Sequence, residues 1–176
     1  MRVWLTARLR TLRTALHLLG GTRVAVVGQS MEPALRDGDH LLISRLAYRL
    51  TSPRRGDLVL VRTWASAAGR PECIKRIVGL PHERISVRAG AVAVNGRSLP
   101  EPYRTPPADH AEAEALQVRL AFTRAGEWTL SSDEYFLLGD NRAASTDSRD
   151  LGPVRRAALS GKAIYRYAPP ERRGQV

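Results

Sequence analysis

The sequence contains little of what most metal and catalytic sites are built from. Its 176 residues include one cysteine, Cys73, and four histidines, at positions 17, 40, 82 and 110. A single cysteine excludes a disulfide within the chain, and the histidines are too dispersed along the sequence to form recognisable pairs of metal ligands. The sequence therefore predicts neither a metal nor a cofactor, and no histidine has a spacing that favours a Ser-His-Asp triad.

Lysine is almost absent, although the chain is strongly basic. Lys75 and Lys162 are the only lysines, so the formal net charge of +11 comes nearly all from arginines scattered along the chain. Basic runs with interleaved aromatic residues, which stack nucleic-acid bases, are missing, and we expect no nucleic-acid partner. An anionic membrane surface is the partner that this charge favours.

The amino end also lacks an apolar run long enough to cross a membrane. Its longest uncharged run, residues 14–22, has nine residues, whereas a spanning helix needs about 20. Residues 1–21 instead predict a basic amphipathic helix that ends at Gly20 and Gly21. Its apolar stripe consists of Leu5, Leu9, Leu12, Leu16 and Leu19, opposite Thr6, Arg10, Arg13 and His17. Such a helix can dock on a membrane surface or pack against its own domain, and we expect the former.

Short runs of strand-forming residues make up most of the remaining chain. They are bounded by Gly, Pro, Asp or Asn, and long helices do not separate them, which predicts a mainly β, antiparallel, coiled-sheet or barrel-like domain. The predicted strands cover residues 24–27, 41–44, 58–62, 73–78, 85–87, 91–94, 135–138 and 163–167. We assign residues 22–170 to one domain and residues 171–176 to a polar tail. Residues 105–124 have no clear pattern.

The first motif with chemical content is Gly-Gln-Ser-Met-Glu-Pro at residues 28–33. It places the hydroxyl of Ser30 between a flexible glycine and a turn that Pro33 restricts. A serine in a turn often serves only to satisfy backbone groups. A serine hydroxyl becomes a good nucleophile when a neighbouring base removes its proton.

The second motif is Ile-Lys-Arg-Ile-Val-Gly-Leu-Pro at residues 74–81. Lys75 stands here in an apolar, β-branched run that reads as a buried strand. Burial disfavours the charged ammonium and lowers the pKa of a lysine, so that a neutral amine can act as a base near neutral pH. Cys73 falls on the same face of such a strand. A thiol nucleophile is conceivable, but packing beside the lysine is the role that its surroundings favour.

A third motif, Gly-Asp-Asn-Arg-Ala-Ala-Ser-Thr-Asp-Ser-Arg at residues 139–149, completes a set of three. In this order the motifs resemble those of the type I signal peptidases, a family of Ser-Lys serine endopeptidases. The resemblance spans roughly residues 24–167. Members of that family usually carry membrane-spanning segments at the amino end, and this chain departs from them there, which leaves the membrane side open.

The resemblance implies a role for several residues of the three motifs. It makes Ser30 the nucleophile, with its own N–H as an oxyanion donor, and Lys75 the general base. The supporting residues that it implies are Ser145, which would hydrogen-bond the lysine amine, an Arg76–Asp140 ion pair, an Asp147–Arg149 ion pair, and Met31 on the substrate surface. Some relatives add a hydroxyl two residues before the nucleophile, but Gly28 occupies that position here.

The expected function is therefore removal of leader (signal) peptides from exported proteins by cleavage after small residues, in a membrane-associated enzyme. Two alternatives stay open. The first is a dedicated maturation or conjugation-type peptidase that serves one partner protein. The second is a non-catalytic binding module on the same fold, which the presence of Ser30, Lys75 and Ser145 disfavours.

Overall fold

The computed structural model describes residues 21–62, 72–104 and 124–176, together with residues 114–116, 118 and 120. The predicted amino-terminal helix and most of residues 105–124 lie outside this part of the chain. The strands are β1 Gly21–Ala25, β2 His40–Ser44, β3 Leu58–Arg62, β4 Glu72–Gly79, β5 Arg84–Arg88, β6 Ala91–Val94, β7 Arg97–Ser98, β8 Gly126–Thr129, β9 Glu134–Leu138, β10 Val154–Arg155, β11 Leu159–Ala168 and β12 Gly174–Gln175. The helices are short: α1 Ala47–Leu50, α2 Ser148–Leu151, and 3₁₀ turns at Arg156–Ala158 and Pro170–Arg172.

The strands form two antiparallel sheets. The larger has the order β1-β2-β11-β3-β4-β9-β10, with β12 paired to β11. The smaller has the order β7-β6-β5-β8. The described part of the chain is thus mainly β and antiparallel, which confirms the predicted fold class.

The central strand β3 is buried on both faces of the larger sheet. Leu58 and Leu60 pack into one hydrophobic cluster, whereas Val59 and Val61 pack into another on the opposite face. Because successive side chains of a strand point to opposite faces, a strand buried on both sides reads as a continuous apolar run. This explains why the sequence of β3 shows no alternation of polar and apolar residues.

A third hydrophobic cluster joins the two sheets. Phe136 of β9 is fully buried there with Ile85 and Val87 of β5. Its ring lies 4.7 Å from that of Trp128 on β8, measured between ring centroids. The smaller sheet therefore packs against the larger one beside β4 and β9. Strand β4 carries most of the second motif, and β9 ends where the third motif begins.

The eight predicted strands all occur, with ends shifted by a few residues, and the segment assigned to a polar tail takes part in the fold. Residues 171–176 form the end of a 3₁₀ turn and strand β12, which pairs with β11. The side chain of Val176 packs against the first hydrophobic cluster, and Arg172 forms an ion pair with buried Asp39. These two contacts give the segment a fixed place in the fold.

Among the described residues, no helix is both long enough and apolar enough to span a bilayer.

Candidate active site

Ser30 lies in the loop between β1 and β2, and two contacts restrain this loop. Gly28 has a φ of +91°, a conformation that glycine adopts without strain, and its N–H donates to Asp37 Oδ1 at 2.7 Å. The carbonyl of Ser30 accepts the N–H of Asn141 at 3.1 Å. The serine is therefore held between its own loop and the 139–149 loop, so the first and third motifs meet.

Lys75 brings the second motif to the same point. It lies on β4, paired across the sheet with Val59, and only 4% of its surface is exposed. Lys75 Nζ is 2.9 Å from Ser30 Oγ, which is hydrogen-bond distance, although 45 residues separate them in the sequence. The fold thus joins a hydroxyl and an amine in a place that is largely closed to water.

Burial controls the charge of this amine. Desolvation lowers the pKa of Lys75 below its usual range, because the ammonium form loses its hydration. The neighbouring groups act in both directions: Cys73, Asp147 and Asp140 raise the pKa of Lys75, whereas Arg149 lowers it. Since desolvation is the largest effect, the neutral amine is more populated at a given pH than in free lysine.

The 139–149 loop is held by a buried carboxylate at its centre. Asp147 is fully buried, caps the amino end of α2, and accepts the N–H of Gly139 at 3.0 Å. Arg149 donates to both carboxylate oxygens of Asp147, at 2.8 and 2.9 Å, and to the carbonyl of Ser145 at 3.0 Å. This is the ion pair that the resemblance implies, and it determines where the loop backbone runs.

The expected hydrogen bond between Ser145 and the lysine amine is not formed. Ser145 Oγ is buried without a hydrogen-bond partner in the described part of the chain, and so is Arg149 Nη1. The Ser145 side chain packs instead against Gly139, so closely that a Cβ on that glycine would lie 2.2 Å from Ser145 Oγ. The serine is therefore at the site, but its hydroxyl occupies the space beside the Gly139 backbone.

Arg76 points to the other face of β4 and pairs with Asp140, as the resemblance implies. Its Nε and Nη2 donate to the two carboxylate oxygens at 2.8 and 2.7 Å, and Nη1 donates to the carbonyl of Gly56 at 2.8 Å. Burial raises the pKa of the Asp140 carboxyl, and the bonds from Arg76 oppose this effect. A two-bond pair of this geometry fixes the start of the 139–149 loop against β4.

The sequence did not predict the contact between Tyr103 and this ion pair. The guanidinium of Arg76 lies 4.0 Å from the ring centroid of Tyr103, a cation–π contact. Arg142 is buried and bonds Glu101 and the carbonyls of Gly139 and Gly90. The Glu-Pro-Tyr segment at residues 101–103 also resembles the signal peptidase family, but the sequence does not show how far this segment lies from the site.

Met31, which the resemblance places on the substrate surface, is buried in this structure. The side chain is 2% exposed and lies in the first hydrophobic cluster with Leu35 and Leu41. The turn after Ser30 directs the Met31 side chain inward, whereas the side chain of Ser30 faces Lys75. Met31 therefore supports the serine loop from the core side.

Cys73 is partly buried and packs at the edge of the second hydrophobic cluster. Burial raises the pKa of its thiol, an effect that Lys75 opposes and Asp147 reinforces. A thiol with a raised pKa is a poor nucleophile, because the thiolate is the reactive form. The packing role expected from the sequence agrees with this environment.

Comparisons with known proteins point to the same family as the motifs. The family model described as "Signal peptidase, peptidase S26" matches residues 6–168. A probable signal peptidase I-2 of Synechocystis sp. is 34% identical over 174 residues, covering 94% of this chain and 74% of the relative. The chain belongs to the peptidase S26 signal peptidase family.

A second sequence relative agrees with this assignment. A signal peptidase I of Bacillus caldolyticus is 33% identical over 159 residues, covering 88% of this chain and 83% of the relative. The crystal structure of a signal peptidase I from Enterococcus faecalis is 26% identical and covers 64% of this chain and 97% of that one, with a TM-score of 0.48. As an S26 family member, the protein is a serine peptidase that hydrolyses peptide bonds.

Gly139 offers a test of how closely the three motifs must approach. A Cβ at this position would lie 2.2 Å from Ser145 Oγ and 2.5 Å from the Ser30 carbonyl oxygen, distances that real Cβ contacts do not show. Gly139→Ala must therefore displace the serine backbone, and a shift of about 1 Å at reacting groups lowers rates by about 10²-fold. Peptide cleavage by the purified variant measures the effect.

The matched control is Gly174→Ala, since a Cβ at Gly174 would meet open space. This variant should keep the parent's cleavage rate and melting temperature. Parent-like cleavage by Gly139→Ala would mean that the approach of the two loops is looser than these distances indicate.

Proposed function

We propose that this protein removes leader peptides from exported proteins, with Ser30 as nucleophile and Lys75 as general base. The observation that carries the proposal is the 2.9 Å contact between Ser30 Oγ and the buried Lys75 Nζ. The relatives are named signal peptidase I in several bacteria, which supports the same substrate class. Cleavage after small residues belongs to the proposal through this family relation.

The chemistry proceeds by acyl transfer. The neutral amine of Lys75 accepts the Ser30 proton as the oxygen attacks the scissile carbonyl, and the N–H of Ser30 donates to the developing oxyanion. The ammonium then returns the proton to the leaving amine. Water, deprotonated by the same amine, releases the leader's new carboxyl end and restores the serine.

The buried charges around the dyad have a supporting role in this proposal. The Asp147–Arg149 pair holds the loop that carries Ser145, and the Arg76–Asp140 pair holds the start of that loop. None of these four groups needs to touch the substrate. Their contribution is to keep the serine and the amine at reacting distance while the site excludes water.

The first test removes each member of the dyad. Ser30→Ala and Lys75→Ala should each reduce cleavage of a leader peptide by about 10⁴-fold, because either change removes the activated nucleophile. Purified protein is incubated, in detergent or with anionic liposomes, with a panel of leader peptides from exported proteins. Mass spectrometry then locates the cleaved bonds and their preceding residues.

Ser132→Ala serves as the matched control, because Ser132 is exposed in the turn before β9. It should cleave like the parent. Rates within a few-fold of the parent for Ser30→Ala or Lys75→Ala would contradict the dyad. Cleavage of a single leader out of the panel would favour the dedicated maturation peptidase, and binding without cleavage would favour the non-catalytic module.

The second test follows the pH dependence of the base. Because burial lowers the pKa of Lys75, the competent neutral amine gains population as pH rises, and activity should increase along one limb. Its midpoint should lie well below the value of about 10.4 for free lysine. Cleavage rates under kcat/KM conditions between pH 5 and 10 give this profile.

Two sets of variants identify the titrating group. Lys75→Arg should be inactive, since a guanidinium stays protonated at any usable pH, whereas Lys162→Arg retains a cation beside Asp57 and should stay active. Replacing all four histidines should leave the limb unchanged. An active Lys75→Arg enzyme, or a limb that vanishes with the histidines, would assign the base to another group.

We further propose that residues 1–20 dock on an anionic membrane surface. Four arginines in this segment each supply about 1 kcal/mol of attraction near such a surface, and salt screens that attraction. Flotation with anionic liposomes should therefore decrease at high ionic strength and disappear when residues 1–20 are deleted. Salt-resistant retention would indicate an anchor of another kind, and no binding at all would indicate that the leucine stripe packs against the protein.

A further inference from the structure

The loop that carries Ser30 is also held from the opposite end of the chain. Arg166 of β11 donates from Nη1 to the carbonyl of Ala34 at 2.9 Å. Arg172, in the 3₁₀ turn before β12, donates from Nη2 to the same carbonyl at 3.3 Å. The two arginines thus converge on a single carbonyl four residues beyond the serine.

Both arginines also bind the carboxylate that closes this loop. Asp39 is 1% exposed, and its two oxygens accept Arg172 Nη1 at 2.9 Å and Arg166 Nη1 at 3.3 Å. The carboxylate further accepts the N–H of Arg36 at 2.9 Å. Asp39 therefore joins the serine loop to the carboxyl-terminal segment through buried, charge-assisted hydrogen bonds.

Backbone hydrogen bonds join the two ends of the serine loop. The N–H of Val26 donates to the carbonyl of Asp39 at 2.8 Å, and the N–H of Gly38 donates to Val26 at 3.0 Å. These two bonds close the loop at its base. Within the loop, Asn141 holds the Ser30 carbonyl, and Met31 and Leu35 are buried in the first hydrophobic cluster. The bonds from the two arginines to Ala34 and Asp39 add a restraint on the part of the loop that returns from this cluster to the sheet.

The two arginines are in turn fixed by the carboxyl-terminal strand. Arg166 pairs with Gly174 across the β11–β12 ladder, and its Nε donates to the carbonyl of Arg172. The family match ends at residue 168, so Arg172 lies beyond the part of the chain that the family model covers.

We propose that Arg166 and Arg172 are positioning residues, which hold the loop that carries Ser30 at the distance from Lys75 that the reaction needs. The kinetic part of this inference rests on the proposed function. Neither arginine approaches the reacting atoms; both act through Asp39 and Ala34. A guanidinium suits this role because its donors diverge from a rigid plane and can bind a carboxylate and a carbonyl at once, which a lysine ammonium does less well.

Arg172 is the better residue to change, because Arg166 then remains to pair with Asp39 and the fold is preserved. Arg172→Ala should lower the single-turnover rate of leader-peptide cleavage by about 10-fold or more, with KM within 2-fold of the parent, since a looser loop affects reaction geometry more than binding. Arg172→Lys should restore the melting temperature but only part of the rate.

The neighbouring residue supplies the control. Arg173 is exposed and donates from Nε to the carbonyl of Tyr167 at 2.8 Å, a contact outside the serine loop. Arg173→Ala should keep the parent's rate and KM. Parent-like cleavage by Arg172→Ala, a loss no larger than the loss of folded protein, or full recovery of the rate in Arg172→Lys would each overturn the inference.

Hydrogen–deuterium exchange separates this inference from the proposed function. In Arg172→Ala, peptides from residues 26–39 should exchange faster, whereas peptides from β5 and β6 should be unchanged. An inactive parent protein would contradict the proposed function, and the exchange of residues 26–39 would still decide whether the arginines hold the loop. Unchanged exchange there would overturn the inference whatever the activity.

Discussion

An ammonium group that is removed from water must either lose its proton or find a compensating charge, and this constraint governs the arrangement around Lys75. The side chain is almost fully buried on β4, and its nearest hydrogen-bonding group is the neutral hydroxyl of Ser30. Carboxylates are present nearby, but each is already occupied by an arginine. Pairing the acids with arginines leaves desolvation as the dominant effect on the lysine and so keeps its pKa low.

The same constraint explains why the serine loop needs attachments on both sides. A neutral amine and a hydroxyl attract each other only weakly compared with an ion pair, so their contact alone does not hold the serine loop against β4. The Asn141 N–H fixes the carbonyl of Ser30 from one direction, and Asp39 with its arginines fixes the far part of the loop from the other. The bonds that hold Ser30 in position thus leave the charge of Lys75 unchanged.

Much of the fold was predictable from the sequence because its strands are short, β-branched and clearly bounded. Each of the eight predicted strands has four or more residues in the structure, and an Asn-Gly turn signal follows β6 at residues 95–96. Strands β7, β10 and β12 have two residues each, which is too few for a pattern to be recognised. Strand β8, Gly-Glu-Trp-Thr, alternates, but it borders the region without a clear pattern.

The meeting of the three motifs was predictable from the sequence, and the direction of the individual side chains was less so. The three motifs meet, and the two ion pairs of the resemblance are formed. Side-chain direction could not be read from spacing: Met31 turns into the core and Ser145 Oγ packs against Gly139. Spacing likewise gave no reason to join Arg172 to Asp39, because 133 residues separate them and only the pairing of β11 with β12 brings them together.

The arginine-rich composition has an explanation inside the protein as well as at its surface. Read as net charge alone, it indicates an anionic partner. In the structure, however, Arg76, Arg142 and Arg149 are buried, and each binds a carboxylate together with at least one backbone carbonyl. Lysine could supply the charge of these residues but not their diverging donors. In the proposed mechanism the Lys75 amine acts in its deprotonated form, whereas the guanidinium groups at these three buried positions stay charged at any usable pH, so these positions favour arginine over lysine.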